Sequence, residues 1–196
     1  MKKGRLEAFS DGVLAIIITI MVLELKIPHG NTLADLKPLI PVFLSYLMSF
    51  VYIGIYWNNH HLMITAIEKV TGSVLWANLH LLFWLSLVPF VTAWMGENHF
   101  GGVTLAVYGV VLLMAAIAYY ILQSLLLKHH SHDSVLVRAI KGNDVKGKIS
   151  PVLYIVGIIG TFINPWIAAA MYILVALIWI IPDRRIEKKL NSSLME

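Results

Sequence analysis

Long apolar runs separated by short polar segments are the feature that most constrains the fold of this 196-residue chain. A helix that crosses a bilayer needs about 20 predominantly apolar residues. Four runs of about that length and two shorter ones are present, at about positions 6–27, 39–65, 74–95, 102–127, 149–164 and 166–181. Hydrophobic residues make up 59% of the chain, whereas they make up about 45–50% of a soluble domain. The sequence therefore predicts an all-α membrane protein with six transmembrane helices.

The separation of the fifth and sixth runs depends on the dipeptide Asn164-Pro165. Proline has no amide donor and disfavours helical geometry in the residue before it, so a helix is expected to end here. The alternative is one long helix with a kink at Pro165.

The distribution of the 15 lysines and arginines gives a separate test of the number of spans. These residues accumulate in the cytoplasmic loops of membrane proteins. If the N-terminus is inside and there are six spans, all of them except Lys26 and Lys37 fall on the cytoplasmic side. Six spans with both termini in the cytoplasm, ending in a cytoplasmic tail at 183–196, is the predicted topology.

The polar segments are too short to hold a soluble domain, and residues 1–196 are predicted to form a single membrane domain. The longest segment, Lys128–Lys148, has room for a short interfacial helix at 135–140. Four potential metal ligands occur in it: His129, His130, His132 and Asp133. They lack a firm helical spacing, so no metal site is predicted. Because topology explains the basic residues, nucleic-acid binding is not predicted either.

The first run has an apolar stripe on one side and acidic residues on the other. With about 100° of rotation per residue, one stripe collects Phe9, Val13, Ile16, Ile20, Leu23 and Ile27. Glu7 and Asp11 lie on roughly the opposite side. The stripe could pack against helices or lipid, or it could form a hydrophobic constriction in which Ile16, Ile20 and Leu23 exclude water from a pore. Periodicity does not distinguish these alternatives.

Polar residues of the first three runs gather at the same depth on the cytoplasmic side. Arg5, Ser10 and Asp11 begin the first run, and Asn78 and His80 begin the third. The second run ends in further candidates, Asn58, Asn59, His60 and His61. Ionisable groups inside a membrane seek partners, so these residues are predicted to form a buried network. Its role is either to hold the helices together or to relay protons.

Two further polar residues belong to the first run or its outer end. Glu24 could attract cations at a pore mouth or could extend to the membrane interface. The Thr19 hydroxyl could bond to its own backbone or contact a passing ion. The sequence contains no TVGYG segment, which excludes the carbonyl-lined filter of ordinary potassium channels.

No signature of catalysis or of a cofactor is present. The chain contains no cysteine and no Walker, HExxH or GxSxG motif. We predict that the protein is not an enzyme and uses neither a cofactor nor a metal.

The polar motifs together resemble a known family. The RxxxFSD motif at 5–11, YWxNHH at 56–61, WxNL at 76–79 and LSLxPF at 85–90 are similar to those of the prokaryotic relatives of transmembrane protein 175, the lysosomal potassium channel. The resemblance covers most of the first hundred residues, and the rest matches only in its hydropathy pattern.

This resemblance implies a function and an assembly. It implies a homotetramer in the plasma membrane of a prokaryote, in which the first helices surround a central pore that conducts potassium and other monovalent cations. Carried over by position, it implies a constriction at Ile16, with Ile20 and Leu23 further along the same face, and cation preference at Thr19. It also implies a network that joins the first helix to its neighbours, formed by Arg5, Phe9, Ser10 and Asp11 with Asn78 and His80 as their expected partners.

The expected function is a potassium-preferring leak channel with a hydrophobic gate. The alternative function is a small proton-coupled transporter with Asp11 and His80 as its titrating pair.

Overall fold

The computed structural model describes residues 2–65, 67, 70–128 and 145–181. The helices are α1 (Lys3–Leu23), α2 (Ile40–Thr65), α3 (Gly72–Ser86), α4 (Val88–Glu97), α5 (Gly102–Lys128), α6 (Val145–Gly160) and α7 (Pro165–Trp179). A 3₁₀ segment, Leu33–Leu39, leads directly into α2. The described residues contain no β-strand, and the prediction of an all-α membrane protein is confirmed.

Four helical segments within the described residues are long and apolar enough to cross a membrane. They are Lys3–Leu23, Leu33–Thr65, Gly72–Glu97 and Gly102–Lys128. Helix α7 is apolar but shorter, and α6 has 16 residues and begins with a turn that contains Lys146 and Lys148. The histidine-containing segment 129–133, the interfacial helix expected at 135–140 and the tail at 183–196 lie outside the described residues.

Prolines set several helix ends. Helix α1 ends at Leu23, four residues before the end of the predicted run, and the chain then reaches Pro28. The run at 74–95 forms two helices joined at Leu87, and Pro89 lies in the first turn of α4. A proline at this place cannot donate the helical hydrogen bond to the preceding turn. Between α6 and α7 the chain turns before Pro165, and the Asn164 side chain accepts a hydrogen bond from the Trp166 amide at 3.0 Å.

Three buried tyrosines connect the helices at the centre of the subunit. The Tyr52 hydroxyl of α2 donates to the carbonyl oxygen of Tyr172 in α7, and the Tyr172 hydroxyl donates to the Leu105 carbonyl oxygen of α5 at 3.1 Å. The Tyr108 hydroxyl lies 3.0 Å from that of Ser49. These polar bonds satisfy hydroxyl groups inside an otherwise apolar core.

Helix α1 lies at one side of this core and packs on α2, α3 and α4. Only 28% of the apolar stretch of α1 is buried, the same share as in the segment Leu33–Thr65 and less than the 50% of α5. Much of α1 is therefore available for contacts outside the subunit.

Candidate functional site

Helix α1 has two apolar faces, and the subunit covers only one of them. The covered face contains Leu6, Ser10, Leu14, Ile17 and Met21, all of them buried. The uncovered face contains Phe9, Ile16, Ile20 and Leu23, which are 52%, 57%, 42% and 79% exposed. Sequence periodicity identified the second face but missed the first, although its spacing of three and four residues is also helical. The exposed face is thus a surface that other subunits or lipid can contact.

Thr19 lies on the exposed side of α1, next to this face. Its hydroxyl donates a hydrogen bond to the Ile16 carbonyl oxygen at 2.9 Å. A hydroxyl has one hydrogen and two acceptor lone pairs. Because the helix takes the hydrogen, the oxygen can present lone pairs away from the backbone, and a lone pair can contact a cation.

A buried hydrogen-bonded chain joins α1 to α3 and α2. The Ser10 hydroxyl donates to the Leu6 carbonyl oxygen at 2.9 Å and accepts from the Asn78 amide nitrogen at 3.0 Å. The Asn78 side-chain oxygen lies 2.7 Å from Nε2 of His60. All three side chains are at most 1% exposed.

The geometry of this chain fixes the tautomer of His60. The Asn78 amide group directs its nitrogen at Ser10, so its oxygen accepts from His60 and Nε2 must carry a hydrogen. The other ring nitrogen, Nδ1, is buried and has no hydrogen-bond partner among the described residues. His60 is therefore held through one nitrogen only, and its position depends on Asn78.

The structure joins Ser10 to Asn78, but it gives His80 another partner. Nε2 of His80 accepts a hydrogen bond at 3.0 Å from the indole of Trp84, one turn along α3. Side chains two positions apart on a helix point about 200° apart, so Asn78 and His80 face different surroundings. That rule, applied to the sequence, could have shown that Asn78 and His80 do not both face α1.

Asp11 belongs to a second, partly exposed set of contacts between α1 and α2. Its Oδ1 atom accepts a hydrogen bond from the Trp57 indole at 3.0 Å. One turn away, Oε1 of Glu7 lies 3.0 Å from Nδ1 of His61. The rings of Trp57 and His61 stack with centroids 6.0 Å apart. Antiparallel helices bring pairs spaced by four residues into register, and the sequence analysis did not identify these pairs.

Two members of the predicted network lie apart from both sets of contacts. Arg5 is exposed, and within the described part of the chain its guanidinium makes no hydrogen bond. Phe9 belongs to the exposed face of α1, beside Ile16.

A groove of about 610 Å³ runs between the C-terminal half of α1 and α4. Its walls are formed by Val13, Ile16, Ile17, Ile20 and Glu24 on one side and by Ser86, Pro89, Phe90, Ala93, Trp94 and Glu97 on the other. Besides Ser86, the lining contains two charged side chains, Glu24 and Glu97. Glu97 forms an ion pair with Lys26. An apolar surface thus leads from the middle of α1 to carboxylates at its C-terminal end.

The first half of the chain matches a family of channels. Residues 5–89 match the family model described as endosomal/lysosomal potassium channel TMEM175. This range includes all of the polar contacts between α1, α2 and α3 described above.

Similar proteins cover the rest of the chain. A potassium channel of Chryseobacterium sp. strain P1-3 is 56% identical over 98% of this chain and 100% of its own length. A potassium channel of Chamaesiphon minutus is 31% identical over 89% of this chain and 91% of its own length. The human endosomal/lysosomal proton channel TMEM175 is 34% identical over 38% of this chain and 17% of its own length.

The fold also matches a solved structure. The crystal structure of a lysosomal potassium-selective channel TMEM175 homolog from Chamaesiphon minutus superimposes with a TM-score of 0.76 at 32% sequence identity. The match covers 90% of this chain and 95% of the solved one.

Proposed function

This chain is a prokaryotic member of the TMEM175 potassium channel family, and we propose that it conducts potassium in preference to other monovalent cations. It is a multi-pass membrane protein, and its relatives are channels and not enzymes. The permeant ion K⁺ needs no cofactor in this proposal. The basic residues favour a plasma-membrane orientation with both termini in the cytoplasm.

The observation that supports the proposal most strongly is the uncovered face of α1. Helix α1 packs on three neighbouring helices but leaves Ile16, Ile20 and Leu23 exposed. This apolar surface is therefore available to contact another subunit or to line a pore. If four subunits assemble with this face inward, each of these residues contributes a ring to a central pore. The sequence shows no internal repeat whose two halves could enclose a pathway, so symmetric assembly is the simpler arrangement.

Rings of aliphatic side chains form a gate by excluding water. A cation must keep part of its hydration to pass, so a narrow apolar ring opposes conduction until it is wetted. Small rotations or dilations of α1 would wet or dry the ring. Selection between cations then falls to Thr19, whose oxygen lies next to the Ile16 ring, and Glu24 concentrates cations at the outer mouth.

The buried chain of Ser10, Asn78 and His60 positions the pore helix in this proposal. It bonds the covered face of α1 to α3 and α2, so the opposite face is held in one orientation. A rotation of α1 would have to break these bonds, which makes them mechanical supports of the gate.

A proton-coupled transporter that uses Asp11 and His80 gains no support from the geometry. Each of the two side chains bonds to a different tryptophan, Asp11 to Trp57 and His80 to Trp84. Potassium flux that follows its own gradient without proton counterflow would exclude obligate exchange.

The test is potassium flux into liposomes that contain the purified protein. The variant Ile16→Asn replaces an apolar ring by polar side chains, and we expect it to raise potassium flux several-fold because the constriction wets more easily. Val22→Asn is the matched control, since Val22 is 44% exposed but lies away from the stripe. Unchanged flux in an Ile16→Asn protein of normal oligomeric size would remove Ile16 from the gate.

A further inference from the structure

The outer end of α1 is tied to the end of α4 by an ion pair. The Lys26 ammonium lies 2.5 Å from Oε1 of Glu97, although the two residues are 71 positions apart in sequence. Lys26 follows the last turn of α1, and Glu97 is the last residue of α4. The pair therefore lies beside the end of the groove at which Glu24 and Glu97 are found.

Lys26 is a cation beside a surface that the proposed channel uses to attract cations. It stands two residues after Glu24, and the hydrogen bond to Glu97 raises the pKa of Lys26, so its ammonium is fully charged at neutral pH. Glu24 and Glu97 both line the groove. Glu24, Glu97 and Lys26 together carry a net charge of −1 in each subunit. Without Glu97, the net charge of the other two would be zero and the Lys26 ammonium would lose its ion-pair partner.

We propose that Glu97 determines the rate of cation entry by neutralising the charge of Lys26 at the outer mouth. This inference rests on the proposed function, because it assumes that Ile16, Ile20 and Glu24 face the cation pathway. The role assigned to Glu97 is electrostatic, so the strength of the ion pair as a structural contact is immaterial to it. Exposed pairs contribute little to stability.

The size of the effect follows from Coulomb's law. One charge at about 10 Å in water changes the local concentration of a monovalent cation by about twofold at low ionic strength. Four subunits around one axis multiply this factor to about sixteenfold at most, so a change in flux of two- to about sixteenfold at about 10 mM salt is expected. The screening length falls from about 30 Å at 0.01 M to about 3 Å at 1 M salt, so the change should disappear at high salt.

The experiment measures potassium flux through reconstituted protein at about 10 mM and about 1 M ionic strength. We expect Glu97→Gln to reduce flux two- to about sixteenfold at low salt and Lys26→Gln to increase it. The double variant Lys26→Gln/Glu97→Gln has the wild-type net charge and should return to wild-type flux. Lys37→Gln, which removes a lysine other than the one that pairs with Glu97, is the control and should change flux less than Lys26→Gln.

Three results would overturn the inference. Equal flux in all variants at both salt concentrations would show that Glu97 has no role. A loss of flux in both single variants and in the double variant, restored only by the charge exchange Lys26→Glu/Glu97→Lys and independent of salt, would show that the pair is only a tether. A wild-type protein that carries no potassium flux at all would refute the proposed function itself, and that outcome is distinguishable from the other two.

Discussion

Replacing Asn78 by leucine tests whether the buried chain positions the pore helix. Leucine has a similar shape but can neither donate to Ser10 nor accept from His60. Ser10 keeps its bond to the Leu6 carbonyl oxygen, so it tolerates the loss. His60 does not, because Nε2–H would then be buried without an acceptor while Nδ1 already lacks a partner among the described residues.

The structure gives the expected magnitude. A buried donor that loses its acceptor costs about 1–3 kcal/mol, and the three side chains have no access to water. A loss of about 2 kcal/mol corresponds to a decrease of about 4–8 °C in the thermal midpoint of a chain of this size. We expect Asn78→Leu to lower the midpoint by that amount.

A double-mutant cycle separates the hydrogen bond from general damage to packing. His60→Leu alone leaves the Asn78 oxygen without its donor and should also destabilise. His60→Leu/Asn78→Leu removes both partners, so its loss of stability should be smaller than the sum of the two single losses by about 1 kcal/mol. The assay is thermal unfolding of the detergent-solubilised oligomer, followed by tryptophan fluorescence and size-exclusion chromatography.

The double-mutant cycle can also contradict the proposed role of the buried chain. A coupling energy of about 1 kcal/mol between the two positions is expected for a membrane-embedded hydrogen bond. If the double variant loses the sum of the two single losses, the residues act independently and the chain does not hold α1. Likewise, a stable Asn78→Leu protein with wild-type flux would refute the positioning role.

The other predictions concern cation preference and helix packing. Thr19→Val removes the oxygen beside the ring formed by Ile16 and should lower the ratio of potassium to sodium flux about twofold. Thr104→Val should leave the ratio unchanged, because the Thr104 hydroxyl donates to the Gly101 carbonyl oxygen at the start of α5. Equal ratios in the Thr19→Val and wild-type proteins would remove Thr19 from selectivity. Gly109→Ala would place a methyl group 1.9 Å from the Tyr172 hydroxyl and should destabilise the subunit by about 1–3 kcal/mol through overpacking. The matched control is Gly54→Ala, since no atom lies within 4 Å of the added carbon there, and equal thermal midpoints for the two variants would contradict the close packing of α5 on α7.

The sequence by itself determined the helical architecture. A bilayer offers backbone groups no hydrogen-bond partners, so long apolar runs must become helices, and the positions of the runs can be read from hydropathy. Sequence periodicity also placed Ile16, Ile20 and Leu23 on one face of α1. Whether its own subunit covers that face depends on contacts with distant parts of the chain, and periodicity does not contain them.

Tertiary structure alone decided which polar residues meet. The sequence placed several histidines and asparagines at one depth, but depth does not specify rotation about a helix axis. The orientation of α3 about its own axis points Asn78 toward Ser10 and His60, whereas His80 points toward Trp84. The pair of Lys26 and Glu97 depends on where α4 ends relative to α1, which is set by the packing of both helices and by the break at Leu87. No local pattern contains that information, because the partners come together only when the helices between them have packed.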